Sequence, residues 1–178
     1  MPIRFAPAVM SLFGLALAWR ALSDLGGWES GIGRLISIAL LLVGLVTIGS
    51  IVFHQFQKGA LKETFSNPQL RVLPACLTVG LMLLSALINP HMPKVALILI
   101  WFAALSHFAL LIWLMNGWFR GGLTLETISP VWFIPVVGNI VVPVGAMASG
   151  EVMLSWFGFS IGIVLWLMLL PIVFFRLV

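Results

Sequence analysis

The sequence predicts an all-α, polytopic membrane protein. Of its 178 residues, 62% are hydrophobic and only 8% are charged, whereas soluble domains carry about 25% charged residues. The charged residues collect in short stretches between long apolar runs. Crossing the hydrocarbon layer takes about 20 residues of α-helix, and the runs have about that length. We therefore expect one transmembrane domain over residues 1–178.

Six membrane-crossing helices are expected in chain order, at residues 5–22, 35–54, 70–88, 95–118, 130–148 and 152–175. The first run has no small-residue cleavage site after it, so we expect it to be retained as a span. The longest connector runs only from Gln55 to Gln69. Short connectors place successive helices side by side, which predicts antiparallel hairpins.

Prolines distinguish the odd spans from the second and fourth. Pro7, Pro74 and Pro135 stand near the starts of the first, third and fifth spans, and the second and fourth spans contain no proline. Proline removes a backbone donor and kinks a helix, which a membrane tolerates where neighbouring helices or a water-lined cavity satisfy the freed groups. We therefore expect kinked odd helices around a central path and plain helices outside, facing lipid. Gly138 and Pro143 also interrupt the fifth span, so it is expected to be kinked or partly unwound.

The residues predicted to line the path are the prolines of the bent spans and the small or polar residues after them: Pro7, Gly14, Pro74, Gly80, Pro135, Gly138, Asn139 and Pro143. For the glycines, close helix packing is the alternative role. For Asn139, the path and a bond to a neighbouring helix are equally supported. Gly158 and Gly162 in the sixth span form a Gly-x-x-x-Gly pair, which indicates a helix contact.

The distribution of charge favours anions. No Asp or Glu lies within a predicted span, although proton- and sodium-coupled transporters usually need a buried carboxylate. Broken turns can present backbone dipoles to an anion. Four basic residues near one mouth are expected to concentrate anions by modest steering, although topology alone explains each of them: Lys58, Lys62, Arg71 and Arg120. Six of the nine Lys and Arg residues fall on that side, which predicts cytoplasmic termini.

His107 is the one ionisable side chain in the middle of a span. It is either a pH-sensitive gate or a neutral imidazole hydrogen-bonded between helices, and we favour the second because the fourth span belongs to the plain set. No two histidines have metal-ligand spacing, so no metal site is expected. We expect no cofactor and no enzymatic activity, since catalytic motifs are missing from the sequence. No basic patch interleaved with aromatics indicates nucleic-acid binding.

Three stretches resemble the tellurite-resistance/dicarboxylate transporter family, which includes the plant slow-type anion channels. They are FAPAVMSLFGLALAWRAL in the first span, NPQLRVLPACLTVGLMLLSA entering the third and ISPVWFIPVVGNIVVPVGA in the fifth. The resemblance implies ten helices in five hairpins around a central path, with the proline-kinked first helix of each hairpin inside. This chain corresponds to the first three hairpins, so it is expected to be truncated relative to that family. The family's gating phenylalanine lies on its ninth span, so no gating residue is carried over.

The resulting functional expectation is transmembrane anion transport, by a channel or a carrier. The resemblance implies small inorganic anions, C4-dicarboxylates or tellurite-type oxyanions as substrates and a homotrimer in a bacterial inner membrane. Membrane lipid and an anionic solute are the expected partners. The alternative is a non-transporting membrane subunit, or half of a split transporter, that completes a partner's helical bundle.

Overall fold

The computed structural model describes residues 1–26, 30–57, 59–120 and 130–177, and every regular element in these ranges is a helix. The prediction of an all-α, polytopic membrane protein is confirmed. Five segments of the described chain are long and apolar enough to cross a membrane: Ile3–Asp24, Gly31–Gln55, Pro93–Arg120, Pro130–Ala148 and Val152–Phe175.

The described helices, in chain order, are α1 (Ala6–Asp24), α2 (Ser30–Gln55), α3 (Ala60–Ser66), α4 (Pro74–Ile88), α5 (Pro93–Arg120), α6 (Phe133–Val137), α7 (Val142–Ala148) and α8 (Val152–Leu177). Short 3₁₀ turns accompany them at Ile3–Phe5, Pro130–Trp132 and Gly138–Val141. The segment Pro130–Ala148 therefore contains α6 and α7 between 3₁₀ turns, and it is called the broken span below.

The helices pack as three hairpins: α1 against α2, α4 against α5, and the broken span against α8. The first members of the hairpins also touch one another, since α4 contacts α1 on one side and the broken span on the other. These three form a continuous inner row, with α2, α5 and α8 as their hairpin partners. Short connectors favour this pairing of successive helices.

α4 is shorter than α1 and is the most buried helix of the inner row. It has 15 residues, which span about 22 Å at 1.5 Å per residue, less than the hydrocarbon layer of about 30 Å. A turn before it, in which the Leu73 N–H donates to Leu70 O at 3.0 Å, extends the segment. Nine of the 15 residues are buried, because α4 has neighbours on both sides.

The prolines act differently from what the sequence predicts. Pro7 and Pro74 lie in the first turn of α1 and α4, where the missing N–H would have no intrahelical partner in any case. The expected kinks at these two prolines are therefore wrong: both residues start helices. Pro171, in contrast, lies inside α8, the sixth span.

The broken span confirms the prediction that the fifth segment is partly unwound. Pro143 cannot donate to Asn139 O four residues earlier, and its ring would crowd that carbonyl. The chain tightens into the 3₁₀ turn Gly138–Val141, and the N–H of Val142 donates to Asn139 O instead. One proline thus converts the middle of a membrane segment from α to 3₁₀ while the freed carbonyl keeps a partner.

α5, one of the plain spans, has two different faces. Its buried residues recur every three or four positions, which makes one continuous face: Ala96, Ile100, Ala103, Ala104, His107, Leu111, Leu114 and Trp118. The opposite face is open, with Ile98 71% and Ile112 66% exposed. α5 therefore turns one apolar face outward and packs the other against α4 and the broken span.

Candidate functional site

A groove with a volume of about 420 Å³ runs along the inner row of helices. Its walls come from α1, α4, the broken span and α8, and they are almost entirely apolar. The lining residues are Met10, Val79, Phe133, Ile134, Val137, Gly138, Val141, Trp166 and Leu170. No carboxylate is among them, so the groove carries no fixed negative charge.

All three proline-bearing segments reach this groove. Met10 follows Pro7 by three residues, Val79 follows Pro74 by five, and Gly138 follows Pro135 by three. The three segments begin at the same end of the bundle, because each is the first member of its hairpin. Residues at similar distances from the starts of the three segments therefore line one shared groove.

A buried polar cluster lies directly behind the groove wall. His107 of α5 is fully buried, with Nε2 2.9 Å from Pro135 O and Nδ1 2.7 Å from Thr78 Oγ1. The cluster joins α5, α4 and the broken span at mid-height, between two apolar clusters centred on Trp118 and Ile100. It is the interhelical hydrogen-bonded arrangement that the sequence favours for His107.

The partners of His107 define the neutral tautomer. A carbonyl can only accept, so Nε2 carries the proton and donates to Pro135 O. Nδ1 then accepts, and the Thr78 hydroxyl donates to it. Thr78 Oγ1 also lies 2.9 Å from Ala75 O, which is a second acceptor for the same hydroxyl proton. The cluster thus accommodates a second hydroxyl orientation without moving a heavy atom.

Asn139 completes the cluster from the broken span. It is fully buried, and its Nδ2 donates to Pro135 O at 3.2 Å and to Val136 O at 3.1 Å. These bonds hold together the turn that the prolines interrupt. Its Oδ1 is buried and has no partner among the described residues, so one acceptor in this wall is free to receive a donor.

Gly138 separates the polar cluster from the groove. A Cβ placed on Gly138 would lie 2.6 Å from His107 Cε1 and 2.8 Å from Val79 Cγ2. A Cβ does not approach other non-bonded heavy atoms this closely, so glycine is the residue that lets the imidazole approach the backbone here. The groove wall is therefore a single backbone layer thick at this point.

The structure distributes the predicted path-lining residues over different environments. Gly138 lines the groove, whereas Gly80, Pro135 and Asn139 are buried between helices. Pro7, Gly14 and Pro74 are half-buried. Pro143 lies in a separate apolar pocket between α7 and α8. The assignment of these residues to a pore lining stays a prediction.

The glycine pair of α8 is a helix contact, as the sequence indicates. A Cβ on Gly158 would lie 2.6 Å from Val142 Cβ, and one on Gly162 would lie 2.8 Å from Ile140 N. The two glycines let α8 approach the backbone of the broken span closely.

Three of the basic residues predicted for one mouth lie in α3, between α3 and α4, and at the end of α5. Lys62 and Arg120 are exposed, and Arg71 is half-buried, with its Nη1 3.9 Å from a Cβ placed on Gly117. Lys58 lies outside the described residues. In the described ranges no group of three His, Cys, Asp or Glu side chains could hold a metal ion.

Most of the groove lining is not predictable from the sequence. Met10, Val79, Val137, Trp166 and Leu170 are apolar residues in apolar helices, and no pattern distinguishes them from lipid-facing neighbours. Thr78 is also absent from the residues that the sequence singles out. Its spacing from Pro74 is the one available signal, since it places the hydroxyl at the level of the break in the fifth span.

The apolar helical bundle defines an integral membrane protein. Over residues 1–178 the chain matches the sequence model of SLAC1, described as voltage-dependent anion channel. The chain belongs to this family, whose members are channels and transporters rather than enzymes. No curated protein matches it.

Proposed function

We propose that this protein conducts anions across a membrane along the groove of the inner row. Family membership supports anion transport in general. The observation that carries the proposal is the groove itself, to which α1, α4 and the broken span each contribute a wall without a carboxylate. A low-charge, narrow and mostly apolar path selects by size and by the cost of dehydration.

The substrates proposed are small inorganic anions, C4-dicarboxylates or tellurite-type oxyanions, taken up by a channel or carrier mechanism. The whole-chain family match favours the inorganic anions of a channel as the first to test. We further propose a homotrimer in a bacterial inner membrane with both termini in the cytoplasm, which agrees with the bias of basic residues toward that side.

Flux into liposomes tests the proposal directly. Purified protein is reconstituted, and the uptake of chloride, nitrate, malate and tellurite is compared with that of protein-free vesicles. Flux of at least one of these anions is expected. Vesicles no more permeable than the empty ones to all four anions would contradict conduction by this chain alone.

Cysteine accessibility then locates the path. Cys76 is the one cysteine of the chain and is fully buried, so Cys76→Ala gives a clean background. In it, Val137→Cys places a thiol in the groove, and Val46→Cys places one on the 70% exposed outer side of α2. A water-soluble sulfonate thiol reagent is expected to modify the first variant and block its flux. Equal modification of both variants would contradict the proposal that the groove is the anion path.

A second candidate is a non-transporting subunit that completes a partner's bundle. The observation in its favour is that the described helices form a groove rather than a closed tube. On this alternative the Val137→Cys thiol becomes protected from the reagent when the partner is present, and the chain alone gives no flux.

A further inference from the structure

A second cavity, with a volume of about 470 Å³, lies at the end of the bundle where α1 ends. It is separate from the groove, which begins near the start of α1. Arg20 and Asp24 of α1, Arg34 and Ser37 of α2 and Leu87 of α4 contribute to its walls. Among the described residues, two guanidinium groups, one carboxylate and the imidazole of His91 therefore face the same space, and their formal charge is +1 with His91 neutral.

Arg20 is held in place across two helices. Its Nη1 donates to Leu87 O at 2.7 Å, and its side chain is only 26% exposed. Leu87 lies in the last turn of α4, where carbonyls have no intrahelical donor. The bond therefore satisfies a helix terminus and fixes the guanidinium before any ligand arrives, which lowers the entropic cost of binding.

Asp24 stands between the two arginines without bonding closely to either. Its Oδ2 is 3.9 Å from Arg20 Nε, and its Oδ1 is 3.6 Å from Arg34 Nη2. Charge-assisted bonds between a cationic N–H and a carboxylate are about 2.7–2.9 Å long. Most of the N–H donors of both guanidinium groups are therefore available, and the carboxylate marks the position that an external oxyanion would take.

We propose that this cavity, the Arg20–Arg34 pocket, binds a phosphate group, either on the headgroup of an anionic phospholipid or free in solution. The planar guanidinium fork matches the oxygen spacing of phosphate and forms paired hydrogen bonds with it. Phosphate would take the donors that face Asp24 and displace that carboxylate. Ile38, which is 53% exposed, and Leu41 continue the same wall as an apolar surface suited to the acyl chains of a lipid.

Binding by the full chain in detergent tests this site. Native mass spectrometry measures the retention of phosphatidylglycerol, and a parallel titration with inorganic phosphate distinguishes the free anion from the headgroup. Arg34→Gln is expected to weaken binding about tenfold. This side chain is 66% exposed and makes only the loose contact with Asp24, so the variant keeps the fold.

Asp24→Asn gives a change in the opposite direction. Removing the competing carboxylate raises the formal charge of the pocket from +1 to +2, so phosphate is expected to bind more tightly. Arg4→Gln is the matched control, because Arg4 is an exposed cation in the 3₁₀ turn before α1, at the other end of that helix. Its binding is expected to equal that of the parent.

Each outcome decides the proposal. Loss of lipid alone in Arg34→Gln identifies a headgroup site, and loss of both lipid and inorganic phosphate identifies a general phosphate site. The proposal is overturned if the Arg34→Gln variant binds lipid and phosphate as tightly as the Arg4→Gln variant. It is also overturned if the Asp24→Asn variant binds them more weakly than the parent protein. The measurement needs no flux, so its result is independent of whether the chain conducts anions.

Discussion

α4 meets its neighbours along two sides of different chemistry. Toward α1 the contact around Gly80 is apolar and shaped by size, because Gly80 lets Val9 and Phe13 pack closely against the helix; the polar bond from Arg20 to Leu87 O lies at the far end of this contact. Toward α5 and the broken span the contact includes Ser85 and His107, which are fully buried and hydrogen-bonded.

The difference follows from the backbone of the partner. α1 is a continuous helix that satisfies its own carbonyls, so its contact with α4 around Gly80 needs only complementary shape. The broken span leaves the α-helical pattern at the 3₁₀ turn Gly138–Val141, and just before this turn Pro135 O accepts bonds from the side chains of His107 and Asn139. Polar side chains therefore accumulate where the helix is interrupted, because an unpaired carbonyl in a membrane costs several kcal/mol.

The largest loss of stability is expected where α7 touches the backbone of α4. In Gly145→Ala the new methyl group would lie 2.6 Å from Met82 O and would also collide with Ser85 Oγ. Since a backbone atom of α4 cannot move aside, we expect a loss of about 3 kcal/mol in the free energy of unfolding. Equilibrium unfolding in mixed micelles measures it. Gly49→Ala in α2, with nothing within 4 Å, is the control and should not be destabilised.

A smaller loss is expected on the apolar side. Gly80→Ala would place a methyl group 2.8 Å from Val9 Cγ1, at a cost of about 1–2 kcal/mol. Because a side chain and not the backbone is in the way, Val9→Ala should relieve the clash. The double variant is expected to be more stable than the sum of the two single changes predicts. If the stability losses of the two single variants simply add in the double variant, the contact between Gly80 and Val9 does not depend on steric fit.

Removing the hydroxyl of Thr78 tests the polar side of α4, which faces α5 and the broken span. Thr78→Val leaves His107 Nδ1 without its donor, and we expect a loss of about 1 kcal/mol, since interhelical hydrogen bonds in membranes are modest. Ser106→Ala is the control: its hydroxyl bonds only to Phe102 O of its own helix, and its stability should stay within about 0.5 kcal/mol of the parent. Equal losses in both variants would argue against a special role for the cluster.

The smallest effect is expected on anion flux, from the basic residues predicted for one mouth, which lie outside both contacts of α4. Lys62→Gln combined with Arg120→Gln removes two exposed cations and should lower anion flux by less than about tenfold at low salt. Unfolding should not change. The deficit should vanish in about 1 M salt, where the screening length is only about 3 Å. A deficit that persists at high salt would mean that these residues act by direct contact.

Much of the architecture was predictable because it depends on local chemistry. Composition identifies a membrane bundle, and short connectors predict hairpins. Pro135, Gly138 and Pro143 predict the interruption of the fifth span, since proline acts on the backbone within four residues of itself. The kinks expected at Pro7 and Pro74 failed for the same local reason, because a proline in the first turn of a helix has no bond to break.

The site was less predictable, because α5 is apolar on almost every side. In water a polar face marks the exposed side of a helix, whereas in lipid both the exposed and the buried faces are apolar. Hydrophobic periodicity therefore could not show that His107 faces Thr78, 29 residues earlier, and Pro135, 28 residues later. The same uniformity hid Val79 and Trp166 as groove residues.

The sequence by itself determined that this chain is a membrane protein, where its apolar segments lie and where one of them breaks, since composition and proline chemistry act along the chain. Only the tertiary structure decided which faces of the helices meet, and with them the groove, the His107 cluster and the Arg20–Arg34 pocket. These depend on the rotation of each helix about its axis. Steric fit at glycines and a few hydrogen bonds set that rotation, because burial of apolar surface cannot distinguish lipid from protein.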